Sequence, residues 1–184
     1  MSESVQQFSL VLRVLHWLMA VLIIATVFIG VGMVSTVSEM RNWLIDLHKP
    51  LGLLLLCLVA LRLCVRLLAS TPPLPAELPG WQRAGAHASH GLLYALMVTQ
   101  PLVGWAMLSA GGYPIVLFGE IVLPPIAPIM PLLFAILREL HMLLALLLFA
   151  AILAHVGAAL VHAWIRRDGV FRSMQPWLRS TARR

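Results

Sequence analysis

The stretch HMLLALLLFAAILAH carries His141 and His155 at its ends with only apolar residues between them. An ionisable side chain inside a membrane-length apolar run is expensive and marks function. Fourteen residues at about 1.5 Å rise separate the two imidazoles by about 21 Å, most of a hydrocarbon core. Fourteen is also four turns at about 3.5 residues per turn, so both point to nearly the same side of a packed helix. Two further histidines, His16 and His48, lie in earlier apolar runs. Imidazoles facing each other across a helical bundle suit a b-type haem, whose iron takes two axial nitrogens while the porphyrin fills the space between helices. Zinc gathers three or four ligands at one point rather than two separate pairs. Copper and di-iron sites want extra carboxylates, and these runs carry only Asp46 and Glu139, near their ends. There is no C-x-x-C-H, which excludes covalent c-type attachment.

The elements that must hold these histidines follow from composition. Of 184 residues, 61% are hydrophobic and 11% charged, with a mean hydropathy of +0.94. Soluble domains are nearer half apolar and a quarter charged, so the chain reads as an integral membrane protein. Four spans are expected, at residues 14–34, 45–68, 86–109 and 133–164, making an all-α four-helix bundle over residues 1–176 with a basic tail at 177–184. STPPLPAELPGWQRAG breaks the chain between the second and third spans. The proline-rich GGYPIVLFGEIVLPPIAPIMP is expected to lie along the membrane surface between the third and fourth. No cleavable signal is read at the N-terminus. Cys57 and Cys64 are two turns apart on one helix, too far for a disulfide, and read as small buried residues.

Charge orients the bundle. With the N-terminus inside, the inner side holds Arg13, Arg62, Arg66, Arg83 and the six arginines from Arg166 onward, and the outer side holds Arg41, Lys49 and Arg138. This asymmetry puts both termini in the cytoplasm of a bacterial inner-membrane, multi-pass protein. The net charge of +6 is absorbed by that orientation, and no nucleic-acid partner is implied. Depth then pairs the histidines. His16 and His155 lie toward the inner ends of their spans, and His48 and His141 toward the outer ends. Gly52, Gly104 and Gly157 fit either close approach of a flat macrocycle or ordinary small-residue helix packing.

LHWLMA, HKPLG, HASHGLLYALM, PLVGW and the H-x13-H followed by HAWIRRDGVFRSM resemble the bacterial cytochrome b561 family over about residues 8–176. The resemblance implies a four-helix cytochrome with two haem b groups. His16 and His155 would ligate the cytoplasmic iron, and His48 and His141 the periplasmic one. In the superoxide oxidase branch, electrons pass from periplasmic superoxide to ubiquinone, and this chain is similar in length and in lacking a fused domain. The family also holds b-type anchors that relay electrons between a dehydrogenase or hydrogenase subunit and the quinone pool.

The remaining polar residues divide between the two ends. Outside, Lys49 and Arg138 are the cations next to the haem ligands and are read as steering superoxide, with propionate pairing or interfacial snorkelling as equal alternatives. Glu39, Asp46, Glu120 and Glu139 share that side. Inside, a family-type quinone site would use His162, seven residues beyond His155, with Trp164 nearby. His87 and His90 open the third span one turn apart and are read as lining that pocket, binding a propionate or sitting at the interface. Arg13 is read as a propionate partner, because Arg pairs carboxylates in bidentate fashion.

Overall fold

A computed structural model describes residues 7–69, 72, 79–117 and 119–175. The basic tail at 177–184 and most of the proline-rich linker after the second span lie outside the described residues. Four long helices dominate: α1 (Leu10–Ser35), α2 (Glu39–Leu68), α3 (Gly80–Ala110) and α4 (Pro131–Leu160). Among the described residues these are the helices long and apolar enough to cross a membrane, with the fourth continuing to Arg166. The chain is therefore an all-α integral membrane bundle.

Local chemistry sets the helix ends. Ser9 caps α1, accepting the Leu12 amide on its hydroxyl at 3.4 Å. α2 begins at Glu39, six residues ahead of its expected apolar start, because hydropathy marks the hydrocarbon and not the helix. Its first turns carry Glu39, Arg41, Asn42 and Asp46, which suit the interface. Pro79 precedes α3, and Pro131 opens α4 at the first turn, where a missing amide costs nothing. Beyond α4 the backbone widens into a π-turn (Val161–Arg166), turns sharply at Arg167 (φ 54°) and Gly169 (φ 81°), and forms a short helix α5 (Val170–Ser173).

The loop expected to lie along the surface contains a small antiparallel hairpin. β1 (Val116–Leu117) pairs β2 (Ile121–Val122), with Val116 opposite Val122 and Leu117 opposite Ile121. Aliphatic residues flanking Gly119 (φ 78°) explain the strands, which the prolines on either side obscured.

α1 packs chiefly on α2, α3 on α4, and α2 also meets α3. α4 makes no comparable backbone approach to α1 or α2. Buried apolar residues include Leu12, Leu15 and Met19 of α1, Val59 of α2, Leu96 of α3 and Leu148 of α4, with Ala110 and Ile115 buried at the end opposite the termini. Long aliphatic side chains cover the outer faces of all four helices, as a lipid solvent requires. At the termini end, Phe8 donates its amide to the Ser173 carbonyl, and Trp17 Nε1 donates to the Met174 carbonyl at 2.9 Å. These bonds tie the C-terminal segment to the start of α1.

Candidate functional site

The histidines meet in two places. His16 of α1 and His155 of α4 have ring centroids 6.2 Å apart and planes at 72°. His48 of α2 and His141 of α4 have centroids 6.2 Å apart and planes at 77°. Two pairs on different helices thus repeat one geometry at two levels of α4. Direct contact between side chains does not require this repetition. An imidazole nitrogen sits about 2 Å from a ligated metal. Two such bonds plus the distance from nitrogen to ring centre on each side come to about 6 Å.

Three further observations bear on whether these residues fit a haem. The pairs bridge α4 to α1 and to α2, where the backbones stand apart. The Nδ1 atoms of both His48 and His141 are buried with no hydrogen-bond partner. Glycines face the rings of this second pair: a Cβ on Gly104 of α3 would stand 3.0 Å from His141 Cε1, and one on Gly30 of α1 would stand 3.6 Å from His48 Cε1. The residues present fit a haem, whose iron His16 with His155 and His48 with His141 would hold. Gly52 and Gly157, expected to allow close approach, have no protein atom within 4 Å of a built Cβ, so helix packing does not account for them. Gly30 was not singled out from the sequence, because its partner lies on another helix.

Gln100 of α3 donates to the backbone carbonyl of His141 at 3.0 Å. This bond fixes the helix carrying His141 against α3 one turn from Gly104. Sequence reasoning missed it, since a single glutamine in an apolar run has no spacing partner.

At the termini end the arrangement is richer than a pair. His90 lies 5.6 Å from His155, centroid to centroid, with planes at 65°. It therefore sits beside the His16–His155 pair. His87, one turn earlier, is exposed. Among the described residues no group of three or more histidine, cysteine or carboxylate side chains is placed to hold a metal ion, so His90 does not complete a three-ligand site. Arg13 is buried and donates to Gln7 Oε1 at 3.1 Å and to the Gln175 carbonyl at 2.7 Å. It spends these donors on the terminal segments.

His162 is paired with a carboxylate. Its Nδ1 lies 2.5 Å from Asp168 Oδ2, and both side chains are about one-fifth exposed. The π-turn and the two left-handed residues after it fold Asp168 back onto His162, while Asp168 Oδ1 accepts the Val170 amide at 3.2 Å. Expecting His162 on the His155 face assumed an unbroken α-helix. The wider turn begins at Val161, one residue before it. Trp164 is largely exposed on this turn, and Arg166 hydrogen-bonds Gln82 at the start of α3. Asp168 was legible only as an acid in a basic segment, six residues from a histidine.

At the other end the two expected steering cations are each paired. Lys49 Nζ lies 3.3 Å from Asp46, and Arg138 lies 3.3 Å from Glu139. Cys57 and Cys64 are exposed, where burial had been expected. The lipid-facing side of a span is apolar without being buried in protein.

Four membrane-length helices with imidazoles paired at two levels fit a membrane-spanning electron carrier of the cytochrome b class. A family model described as prokaryotic cytochrome b561 matches residues 7–177, and the chain belongs to that family. Its relatives include "Cytochrome b561 homolog 1" of Escherichia coli strain K12, 27% identical over 88% of this chain and 93% of the relative. "Cytochrome b561 homolog 2" of the same strain is 28% identical over 94% and 93%. "Probable superoxide oxidase CybB" of Yersinia pestis is 30% identical over 88% and 92%. Family membership makes this a multi-pass bacterial inner-membrane protein that transfers electrons with haem b.

Proposed function

We propose that the chain is a superoxide:ubiquinone oxidoreductase that moves electrons across the membrane through two haem b sites. The observation that carries this reading is the repeated 6.2 Å imidazole pair at two depths of α4. Two sites about 21 Å apart along one helix make a route across most of the bilayer. The relative named as a probable superoxide oxidase supports the choice of donor.

In this reading both termini are cytoplasmic, because the arginines collect at that end. His48 and His141 hold the periplasmic iron, and His16 and His155 the cytoplasmic one. Haem b at each pair supplies one-electron exchange. Gln100 holds the backbone of His141 in register, and Gly104 and Gly30 keep the space beside the rings clear. Two superoxide anions each lose one electron outside and leave as dioxygen. One ubiquinone takes those two electrons and two protons inside and leaves as ubiquinol. His162 is the proposed proton donor. With its Nδ1 on Asp168, its Nε2 is the nitrogen left to face a quinone oxygen, and the carboxylate holds the ring in that orientation. Trp164 and His87 remain proposed quinone neighbours. His90 is read as packing against the His16–His155 pair. Arg13 is kept as a proposed propionate partner, buried at the end of the bundle where His16 and His155 meet.

One observation favours a second reading, the anchor that relays electrons for a dehydrogenase or hydrogenase subunit. Lys49 and Arg138 each sit against a carboxylate, which offsets the field that would draw an anion to the outer site. Stopped-flow mixing of the purified, oxidised protein with superoxide separates the two. The enzyme reading expects haem reduction within the mixing experiment and reoxidation on adding a soluble ubiquinone analogue. A protein inert to superoxide would leave the relay reading standing.

A further inference from the structure

The two imidazole pairs sit in different electrostatic surroundings. Arg62 of α2 is only 6% exposed, at the end of the bundle where His16 and His155 meet. Its Nη1 donates to the Leu12 carbonyl at 2.7 Å, and its Nε donates to Tyr94 Oη at 3.1 Å. In an α-helix the Leu12 carbonyl also receives the amide of His16, four residues on. Tyr94 lies four residues after His90, on the same face of α3. Arg62 is thus joined to the helices of His16 and His90 through one atom each.

Both acceptors are neutral. Ion pairs among the described residues involve Lys49, Arg138 and His162, and none involves Arg62. The neighbouring charges are further cations: Arg13 directly follows Leu12, and the Arg66 guanidinium lies 5.6 Å from the centre of the Tyr94 ring. Asp168, the carboxylate described at this end, is taken by His162. A guanidinium does not lose its proton in a protein. Arg62 is therefore a permanent positive charge in a low-dielectric setting, with no carboxylate of the described chain to cancel it. Around His48 and His141 nothing comparable exists among the described residues. The buried charged side chains are Arg13 and Arg62, and the cations near His48 and His141 are paired and closer to water.

Adding an electron to a site makes it one unit more negative, and a nearby fixed positive charge favours that state. We propose that Arg62 is the residue that orders the two sites, making the His16–His155 end the more strongly electron-attracting and so giving electron transfer its direction toward that end. The proposal rests on the two-haem reading. Arg62 acts through the field and through His16, without touching the reacting atoms, and is a positioning residue in that sense. A unit charge about 10 Å from a redox centre, acting through an effective dielectric of about 20, is worth roughly a decade in an equilibrium constant. For a one-electron couple that decade is about 59 mV.

The test is a spectroelectrochemical titration of the purified protein in detergent. His155→Ala and His48→Ala variants assign the two spectral components to their ends. In the wild type the His16–His155 component is expected at the higher potential. In Arg62→Gln it is expected to fall by about 59 mV or more, with the other component in place. Arg62→Lys keeps the charge and is expected to retain most of the separation while losing the paired hydrogen bonds. If Arg62 only ties helices together, both variants weaken the fold alike and neither changes the spacing selectively. Reversed order in the wild type, or unchanged spacing in Arg62→Gln, overturns the proposal. If Arg62→Gln does not assemble, the wild-type order and the Arg62→Lys spacing decide. A wild type with fewer than two haem components fails at the haem reading itself, before Arg62 is in question.

Discussion

Gly104 offers a graded probe of the His48–His141 site. Its backbone sits so close to His141 that a Cβ would stand 3.0 Å from Cε1 and 3.4 Å from Nδ1. Carbon atoms in good contact lie about 3.5–4.0 Å apart. In Gly104→Ala the ring must therefore give way by roughly half an ångström. Cε1 lies about 3 Å from the χ1 axis, so that shift is a rotation on the order of 10°. A side chain about 30° off its rotamer costs on the order of 0.5–1.5 kcal/mol, and a smaller rotation costs less. Against this, alanine in a helix interior is better than glycine by about 0.5–1 kcal/mol. The alanine variant is thus expected to fold as well as the wild type and to lose less than about tenfold in haem affinity at this site.

Gly104→Val behaves differently. Its γ-carbons reach about 1.5 Å beyond Cβ, far more than a 10° rotation relieves, and His141 is driven from its rotamer. One haem of two is expected to be lost, with the His16–His155 component intact. The matched control is Gly30→Ala, whose Cβ would stand 3.6 Å from His48 Cε1, an ordinary contact, so both haems are retained. Pyridine haemochrome against protein mass gives the count, and low-temperature α-band spectra give the identity of what remains. Full haem content in Gly104→Val, or loss of the His16–His155 component, would refute the placement of this site against Gly104.

The other expectations follow the same map. Removing His48 or His141 should abolish one spectral component and removing His16 or His155 the other, while His90→Ala keeps both; a shared loss for His16→Ala and His48→Ala would break the pairing. Asp168→Asn should slow reoxidation by a ubiquinone analogue by about tenfold or more, within what a positioned proton donor contributes, and leave reduction by superoxide unchanged in stopped flow. His162→Ala should do the same, and unchanged quinone kinetics in both variants would move that site elsewhere. Lys49→Glu should slow reduction by superoxide at low salt without altering the haem spectrum. The difference should close as salt rises, since the Debye length falls from about 10 Å at 0.1 M to about 3 Å at 1 M.

What the sequence made legible and what it hid divide along a physical line. The spans were legible because lipid imposes a length and a composition on any helix that crosses it, and α1 and α3 extend only a few residues beyond the apolar stretches. The histidine pairs were legible because depth in a membrane is a coordinate the chain itself counts, 1.5 Å at a time. His16 meets His155 and His48 meets His141 as that count requires. Rotation about the helix axis and contacts between helices have no such ruler. The partner of His162 was hidden by a π-turn, which no apolar pattern announces. His90 was assigned by depth alone, and depth could not say that it turns toward His155. Arg62 was counted as one more positive charge at the inner side. Orientation by charge treats arginines as interchangeable, yet Arg62 is buried between three helices while Arg167 stands in the open. The same residue type, four residues apart in α2, serves twice: Arg66 lies against the ring of Tyr94, and Arg62 binds its hydroxyl and faces into the bundle. In the proposed orientation, the charge that sets how the protein lies in the membrane would also be, at one position, a charge that the electrons feel.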